Sequence, residues 1–148
     1  MRMKIWAMLA LLFAVAMPAM AQNARPLDPN TATQAQLAAV PELKTVAAEI
    51  VAKRPYAGPA AFDAALAAAK LTPEQRAALY TRVWVPMNMN TATRADFALV
   101  PGMTPRMVRE FEEYQPYKSI EHFRAEIGKY VSKEEVARFE QYLFVPAK

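Results

Sequence analysis

Hydrophobic and polar residues follow one another along this chain with the spacing of short amphipathic helices. Between residues 103 and 114 the large apolar side chains recur every three or four positions, which places them on one face of a helix. A similar stripe covers residues 43–51. Pro116 and Pro55 follow the two stripes and end the helices, because proline has no amide hydrogen to donate. The pattern predicts an all-α fold.

The first 21 residues have a different pattern. Arg2 and Lys4 precede an apolar run over residues 5–17, and the small-residue sequence Ala19-Met20-Ala21 follows it. This order is typical of a secretory signal peptide cleaved after Ala21. The run is too short for a membrane anchor, which needs about 20 apolar residues. We therefore expect a periplasmic protein that begins at Gln22 and has no membrane span after cleavage.

Two segments of about 60 residues resemble each other, which indicates a tandem repeat. Asn30-Thr31-Ala32-Thr33 recurs as Asn90-Thr91-Ala92-Thr93, and a Val-Pro pair follows each copy. Further matched pairs are Pro55-Tyr56 with Pro116-Tyr117, Phe62 with Phe123, and Trp84-Val85-Pro86 with Phe144-Val145-Pro146. The predicted organisation is a signal peptide over 1–21, a linker over 22–29, and repeats over 30–88 and 89–148.

Each repeat is predicted to contain four helices. Good N-cap residues precede the first and fourth helix of each copy. These residues are Thr33, Thr72, Thr93 and Ser132. Gln36 and Asp96 stand at the third helical position, where they complete a capping box. The one strand candidate, Val83-Trp84-Val85, fits a helix exit better. Trp84 and Phe144 are expected to seal each copy or the interface between the copies, and Tyr56 and Tyr117 to lie in the core.

The composition excludes several classes of function. The chain has no cysteine and one histidine, His122, so it has no disulfides, no thiolate nucleophile and no histidine metal site. Three glycines are too few for a dinucleotide or nucleotide phosphate loop, and neither motif occurs. The acidic cluster of Glu110, Glu112 and Glu113 fits a solvated helix face better than a metal site. We expect a protein that is not an enzyme and uses no cofactor.

The turn at Gly102 carries the most specific chemistry. It directly precedes the second helix of the second repeat, and the first amides of a helix have no internal acceptor. The helix dipole adds partial positive charge there, so a phosphate could bind. Arg106 and Arg109 follow on the outward face. Thr104 fits two roles equally well, a phosphate contact and an N-cap in front of Pro105.

The order Asn-Thr-Ala-Thr, Val-Pro-Gly-Met-Thr-Pro, amphipathic helix and Gln-Pro-Tyr resembles the helix-hairpin-helix family, and within it the exported ComEA-type competence DNA receptors. The resemblance covers residues 28–146 and is strongest over 90–123. It implies two hairpin motifs packed in a helical domain that binds double-stranded DNA without reading its sequence, in DNA uptake. The implied DNA-binding residues are Gly102, Met103, Thr104, Arg106, Arg109 and Lys44.

The sequence also departs from that family. Thr104 replaces the second glycine of its Pro-Gly-hydrophobic-Gly hairpin, and the matching turn of the first repeat, residues 41–45, has no glycine. Glu42 places a carboxylate there, where phosphate would bind. The alternative function is therefore an adaptor that binds a protein partner in the cell envelope. The helix-hairpin-helix domains of the extrinsic photosystem II subunit family are used in this way, and their Pro-Gly-Met-like hairpin is similar.

The charge balance leaves both functions open. Removal of Arg2 and Lys4 with the signal peptide lowers the formal net charge from +4 to +2. Glu110 and Glu113 follow Arg106 and Arg109 at a spacing of four, so both arginines are expected to form intrahelical ion pairs. A dedicated DNA-binding protein usually has a strongly basic face. The basic residues of this chain fit a phosphate-binding surface or an ordinary solvated helix face.

Overall fold

The computed structural model describes residues 24–147, and the predicted signal peptide lies outside them. The first half of the described chain, residues 24–86, contains α1 (Gln34–Ala38), a 3₁₀ turn (Pro41–Leu43), α2 (Ala47–Ala52), α3 (Pro59–Ala68) and α4 (Pro73–Leu79). The second half, residues 87–147, contains β1 (Met87–Asn88), α5 (Arg94–Ala98), α6 (Pro105–Glu113), α7 (Ile120–Ile127), α8 (Lys133–Phe139) and β2 (Leu143–Phe144). The fold is mostly helical, as the sequence pattern predicts.

The predicted N-caps are confirmed at all four positions. Thr33 and Thr93 each accept the amide of the residue three positions on, and the side chains of Gln36 and Asp96 complete both capping boxes. Thr72 and Ser132 cap α4 and α8 by the same local geometry. Side-chain oxygens thus take up amide hydrogens that have no acceptor inside the helix.

Short parallel strand contacts join the beginning and end of each half, which the helical prediction did not include. β1 pairs with β2, and Leu27 forms a single parallel bridge with Val83. The sequence pattern favours a helix exit over a strand at Val83, and this expectation is wrong because Val83 takes part in the bridge. The bridge forms because the amide of Trp84 donates to the carbonyl of Leu27 at 2.9 Å, a contact between residues far apart in sequence.

Matching polar contacts occur in the two halves. The side chain of Asn30 binds both the amide and the carbonyl of Tyr56, at 2.8 and 3.0 Å. Asn90 makes the same two contacts with Tyr117, at 2.6 and 2.9 Å. Both tyrosine rings are buried, as predicted, and each hydroxyl donates to a carbonyl near the end of α2 or α6. These asparagines fasten the start of each half to the turn that follows its second helix.

Aromatic side chains fill the core. In the second half the ring of Phe111 makes edge contacts with three other phenylalanines, at centroid distances of 5.1–5.4 Å. Those partners are Phe97, Phe123 and Phe139. Trp84 lies between the halves and is 1% exposed, whereas Phe144, at the matching position, is 41% exposed. The expectation that Phe144 seals the second copy is therefore wrong: Trp84 packs on Tyr142 of the second half, but the described residues include no third unit that could cover Phe144.

None of the described helices is both long and apolar enough to cross a lipid bilayer.

Candidate nucleic-acid interface

The turn between α5 and α6 has a left-handed backbone at Gly102, with φ of +72°. Glycine adopts this conformation without steric cost because it has no Cβ. The amide of Met103 donates to the carbonyl of Val100 at 3.0 Å and closes the turn. Gly102 and Thr104 are exposed, and within residues 24–147 neither of their amides has a hydrogen-bond acceptor. Two amide hydrogens are thus available to an external acceptor at the start of α6.

Thr104 caps α6, which confirms one of its two predicted roles. Its Oγ1 accepts the amide of Met107 at 3.2 Å, and Pro105 occupies the first helical position. A hydroxyl oxygen that accepts this bond still has its own hydrogen to donate. The exposed Thr104 can therefore cap the helix and donate to a bound anion at the same time.

The side chain of Met103 lines the site and is not fully exposed to a ligand. It is half-buried and lines a groove of about 270 Å³ beside the turn. The other lining residues are Arg94, Ala98, Thr104, Pro105 and Val108. Its side chain therefore supports the turn from the protein side, and the turn backbone is the part left open to a ligand.

The two arginines of α6 differ in their surroundings. Arg106 is exposed, lies 3.9 Å from Glu110 and stacks over the ring of Tyr130, with 5.5 Å between the guanidinium carbon and the ring centroid. Arg109 is exposed and makes no ion pair with any residue in the described range. The expected pair of Arg106 with Glu110 is confirmed, and the one predicted between Arg109 and Glu113 is not formed. Arg109 is thus the less neutralised cation.

Arg138 of α8 covers the turn, and nothing in the local sequence predicted it. Its Nη1 donates to the carbonyl of Pro101, and a Cβ added to Gly102 would lie 3.3 Å from its Nη2. Glu135 holds the guanidinium through two hydrogen bonds, at 2.8 and 2.5 Å, and this contact lowers the pKa of the Glu135 carboxyl. Arg138 stands 37 positions after Pro101, so only the tertiary fold brings them together. The group closest to the turn is therefore a cation.

The matching turn of the first half contains an anion of its own. The carboxylate of Glu42 pairs with Arg82 at 2.5 Å. Arg82 is the main reason that the pKa of Glu42 lies below its usual value. Lys44 is exposed, but no hydrogen bond or ion pair within the described residues joins it to the Gly102 turn. Of the predicted site residues, Gly102 to Arg109 lie together on the turn and α6, and no hydrogen bond or ion pair among the described residues joins Lys44 to them.

Two of the three acidic residues of α6 are engaged in ion pairs. Glu110 faces Arg106, and Glu112 pairs with Arg94 of α5. In residues 24–147 no group of three or more histidine and carboxylate side chains could hold a metal ion. His122 is half-buried, and its Nδ1 accepts the amide of Lys118 at 3.2 Å. These side chains stabilise local structure.

The left-handed turn leads to a stability prediction. Replacing Gly102 by alanine should lower the free energy of unfolding by about 1 kcal/mol, because an L-residue is strained at this φ and its Cβ approaches Arg138. Urea unfolding measures the change. Asparagine tolerates the left-handed region better, so Gly102→Asn should cost less than Gly102→Ala. Equal or higher stability of the alanine variant would contradict the turn geometry.

Taken together, the Gly102 turn can bind one anion: it combines two unbonded amides, the amino-terminal end of a helix and three nearby arginines. Arg138 contacts the turn, and Arg106 and Arg109 follow on α6. Glu135 and Glu110 pair with Arg138 and Arg106, so Arg109 is the arginine of the three without an ion pair among the described residues. Comparison of the chain with protein-family models, with curated proteins and with solved structures finds no match.

Proposed function

We propose that this chain is an exported tandem helix-hairpin-helix protein that binds double-stranded DNA without sequence preference. The open turn at Gly102 carries the proposal, because its unbonded amides can hydrogen-bond a backbone phosphate at the start of α6. Arg106, Arg109 and Arg138 would provide the surrounding positive charge. Phosphate contacts position a protein on DNA and carry no sequence information.

The duplicated unit is part of the proposal, with boundaries at 30–88 and 89–148. It is supported by the equivalent contacts of Asn30 and Asn90 and by capping boxes that recur 60 residues apart. The second copy would bind DNA. In the first copy the Glu42 carboxylate, paired with Arg82, lies at the matching turn, and a carboxylate there repels phosphate.

Export through the signal peptide over residues 1–21 completes the proposal and places the protein in the periplasm, where incoming DNA would be its ligand in uptake. Neither a cofactor nor catalysis is required for this role.

The direct test is a titration of the full chain against a fluorescently labelled duplex at several salt concentrations. We expect the logarithm of the binding constant to fall against the logarithm of salt concentration with a slope of about −2 to −3, since each neutralised phosphate contributes about −0.9. Arg109→Ala should reduce the slope by about 1 and weaken binding equally on unrelated sequences.

Lys118→Ala is the matched control, because Lys118 is also exposed, makes no ion pair among the described residues and follows the opposite end of α6. It should leave affinity and slope nearly unchanged. If micromolar protein does not bind the duplex at low salt, or if both variants lose the same affinity, the Gly102 turn is not a DNA site.

The second candidate function is a protein adaptor in the envelope, and one observation favours it. The ion pair of Glu42 with Arg82 closes the first turn to phosphate, and Arg94, Arg106 and Arg138 all have carboxylate partners. A surface neutralised in this way fits a protein partner better than a polyanion. Absence of duplex binding at low salt would favour this function.

A further inference from the structure

A groove lies between α7 and α8, away from the Gly102 turn in sequence. Its volume is about 570 Å³. Small and aliphatic residues form its floor, namely Ala125, Gly128, Val136 and Ala137. Charged residues form its rim, namely Arg124, Lys129, Lys133 and Glu140. A groove of this size accommodates one large apolar side chain together with its flanking backbone.

The matching space in the first half is crossed by the chain's own side chains. Arg76 and Tyr80 of α4 both hydrogen-bond Asp63 of α3, and Arg76 also donates to the carbonyl of Leu71. In the repeat alignment Val136 stands in place of Arg76, and Glu140 in place of Tyr80. The shorter Val136 does not reach across, so the space between α7 and α8 stays open. Arg124 and Glu140, at the positions of Asp63 and Tyr80, still join α7 to α8, so the second half lacks only the crossing side chain of Arg76.

The rim charges define the chemistry of an occupant. Arg124 and Glu140 neutralise each other in a two-bond pair, at 2.7 and 2.8 Å, that joins the two helices at one end of the groove. At the other end Lys129 contacts Glu126, and Lys133 makes no ion pair within the described residues. Lys133 is thus the one rim charge without an ion-pair partner among the described residues, at the end formed by the turn. An acidic occupant complements it.

We propose that this groove binds an acidic segment of a partner protein, with one apolar side chain on the Ala125–Ala137 floor and a carboxylate near Lys133. The site is separate from the Gly102 turn, so it does not depend on the proposed DNA function. It would give the chain a docking surface for a protein in addition to a nucleic-acid surface.

Fluorescence anisotropy with defined peptides tests the proposal on the full chain. The probe is a short fluorescein-labelled peptide of glutamates around one central phenylalanine, and the comparison peptide has alanine in place of phenylalanine. We expect the phenylalanine peptide to bind at least about fivefold more tightly, because only its ring reaches the apolar floor. Equal affinity of the two peptides would overturn the proposal.

Two variants test the apolar floor and the charged rim of the groove separately. Ala137→Trp fills the groove from an exposed position on α8, and Lys133→Glu reverses an unpaired rim charge. Each variant should lower the affinity for the phenylalanine peptide at least about fivefold. Lys118→Glu, at an exposed site outside the groove, should change this affinity less than about twofold. Circular dichroism checks folding, and Ala125→Trp on the facing helix replaces Ala137→Trp if that variant does not fold.

The result that overturns the proposal is wild-type affinity in the groove-filling or the Lys133→Glu variant, or an equal loss in Lys118→Glu. Unlabelled duplex DNA added as competitor separates the two proposed sites. An excess of duplex should leave the peptide bound, because the sites are different. If the duplex displaces the peptide, and if this displacement is lost in a Lys133 variant but not in an Arg109 variant, the groove binds nucleic acid instead.

Discussion

Replacing Trp84 by alanine should lower the free energy of unfolding by about 3–5 kcal/mol, the usual range for a buried tryptophan. The Trp84 ring is 1% exposed and makes edge contacts with Tyr80 and Tyr142, at centroid distances of 5.5 and 5.3 Å. Its Nε1 donates to the carbonyl of Tyr142 at 2.8 Å. The substitution would remove the ring that joins the halves and one of the two donors to that carbonyl, which also accepts the amide of Met87 at 2.9 Å.

Urea or thermal unfolding of the full chain measures this loss. Trp84→Phe separates its two components, because phenylalanine keeps most of the ring packing but cannot donate to Tyr142, a bond worth about 1 kcal/mol. Phe144→Ala is the matched control at the same repeat position. Since Phe144 is 41% exposed, its loss should cost less than about 1 kcal/mol. A similar cost for both positions would mean that Trp84 does not hold the halves together.

Trp84 and Phe144 also mark the limit of prediction from a repeat. Equivalent sequence around the two residues predicts equivalent environments, and local features such as the four N-caps and the buried Tyr56 and Tyr117 indeed recur. Burial, however, depends on which other residues pack against the end of each repeat. The second half covers Trp84, and no described residue covers Phe144 to the same extent. A repeat pattern therefore predicts the inside of a unit better than its ends.

In the candidate site, too, the local features could be predicted from the sequence and the tertiary contacts could not. The turn at Gly102, the cap at Thr104 and the exposed arginines of α6 follow from local spacing and could be predicted. Arg138 could not, because it stands 37 positions after Pro101 and meets the turn only after α6 and α8 pack. Pairing of Arg109 with Glu113 depended on side-chain conformation, which the spacing of four residues permits but does not impose.

Asp96 is the second position at which a single substitution should have a large effect. It is the one buried charged residue of the described chain, 8% exposed. Its Oδ2 accepts the amide and the hydroxyl of Thr93, at 2.8 and 2.9 Å, within the capping box of α5. Its Oδ1 accepts the amide of Ala60 at 2.9 Å, at the start of α3. One carboxylate thus serves the amino-terminal ends of two helices, one in each half.

This arrangement needs close approach of the backbone. A Cβ on Gly58 would lie 3.0 Å from Oδ1 of Asp96, so glycine at this position leaves the space for the carboxylate. Gly58 has an extended backbone, with φ of −176°, which any residue can adopt. The requirement for glycine is therefore steric and comes from Asp96. The two residues should be coupled in a double-mutant cycle with Gly58→Ala.

Asp96→Ala should lower the free energy of unfolding by about 2–4 kcal/mol, because it leaves the donors of Thr93 and Ala60 without an acceptor at a buried site and each lost acceptor costs about 1–3 kcal/mol. Gln36→Ala removes the equivalent capping-box residue of α1, which is exposed and makes no hydrogen bond to the other half within the described residues. It should cost about 0.5–1 kcal/mol, the ordinary effect of losing a cap contact. The difference between the two variants, measured by urea unfolding, reports the bonds that only Asp96 makes, to the amide of Ala60 and to the hydroxyl of Thr93. If the two substitutions cost the same, Asp96 acts only as a local cap, and Trp84 is left to hold the halves together.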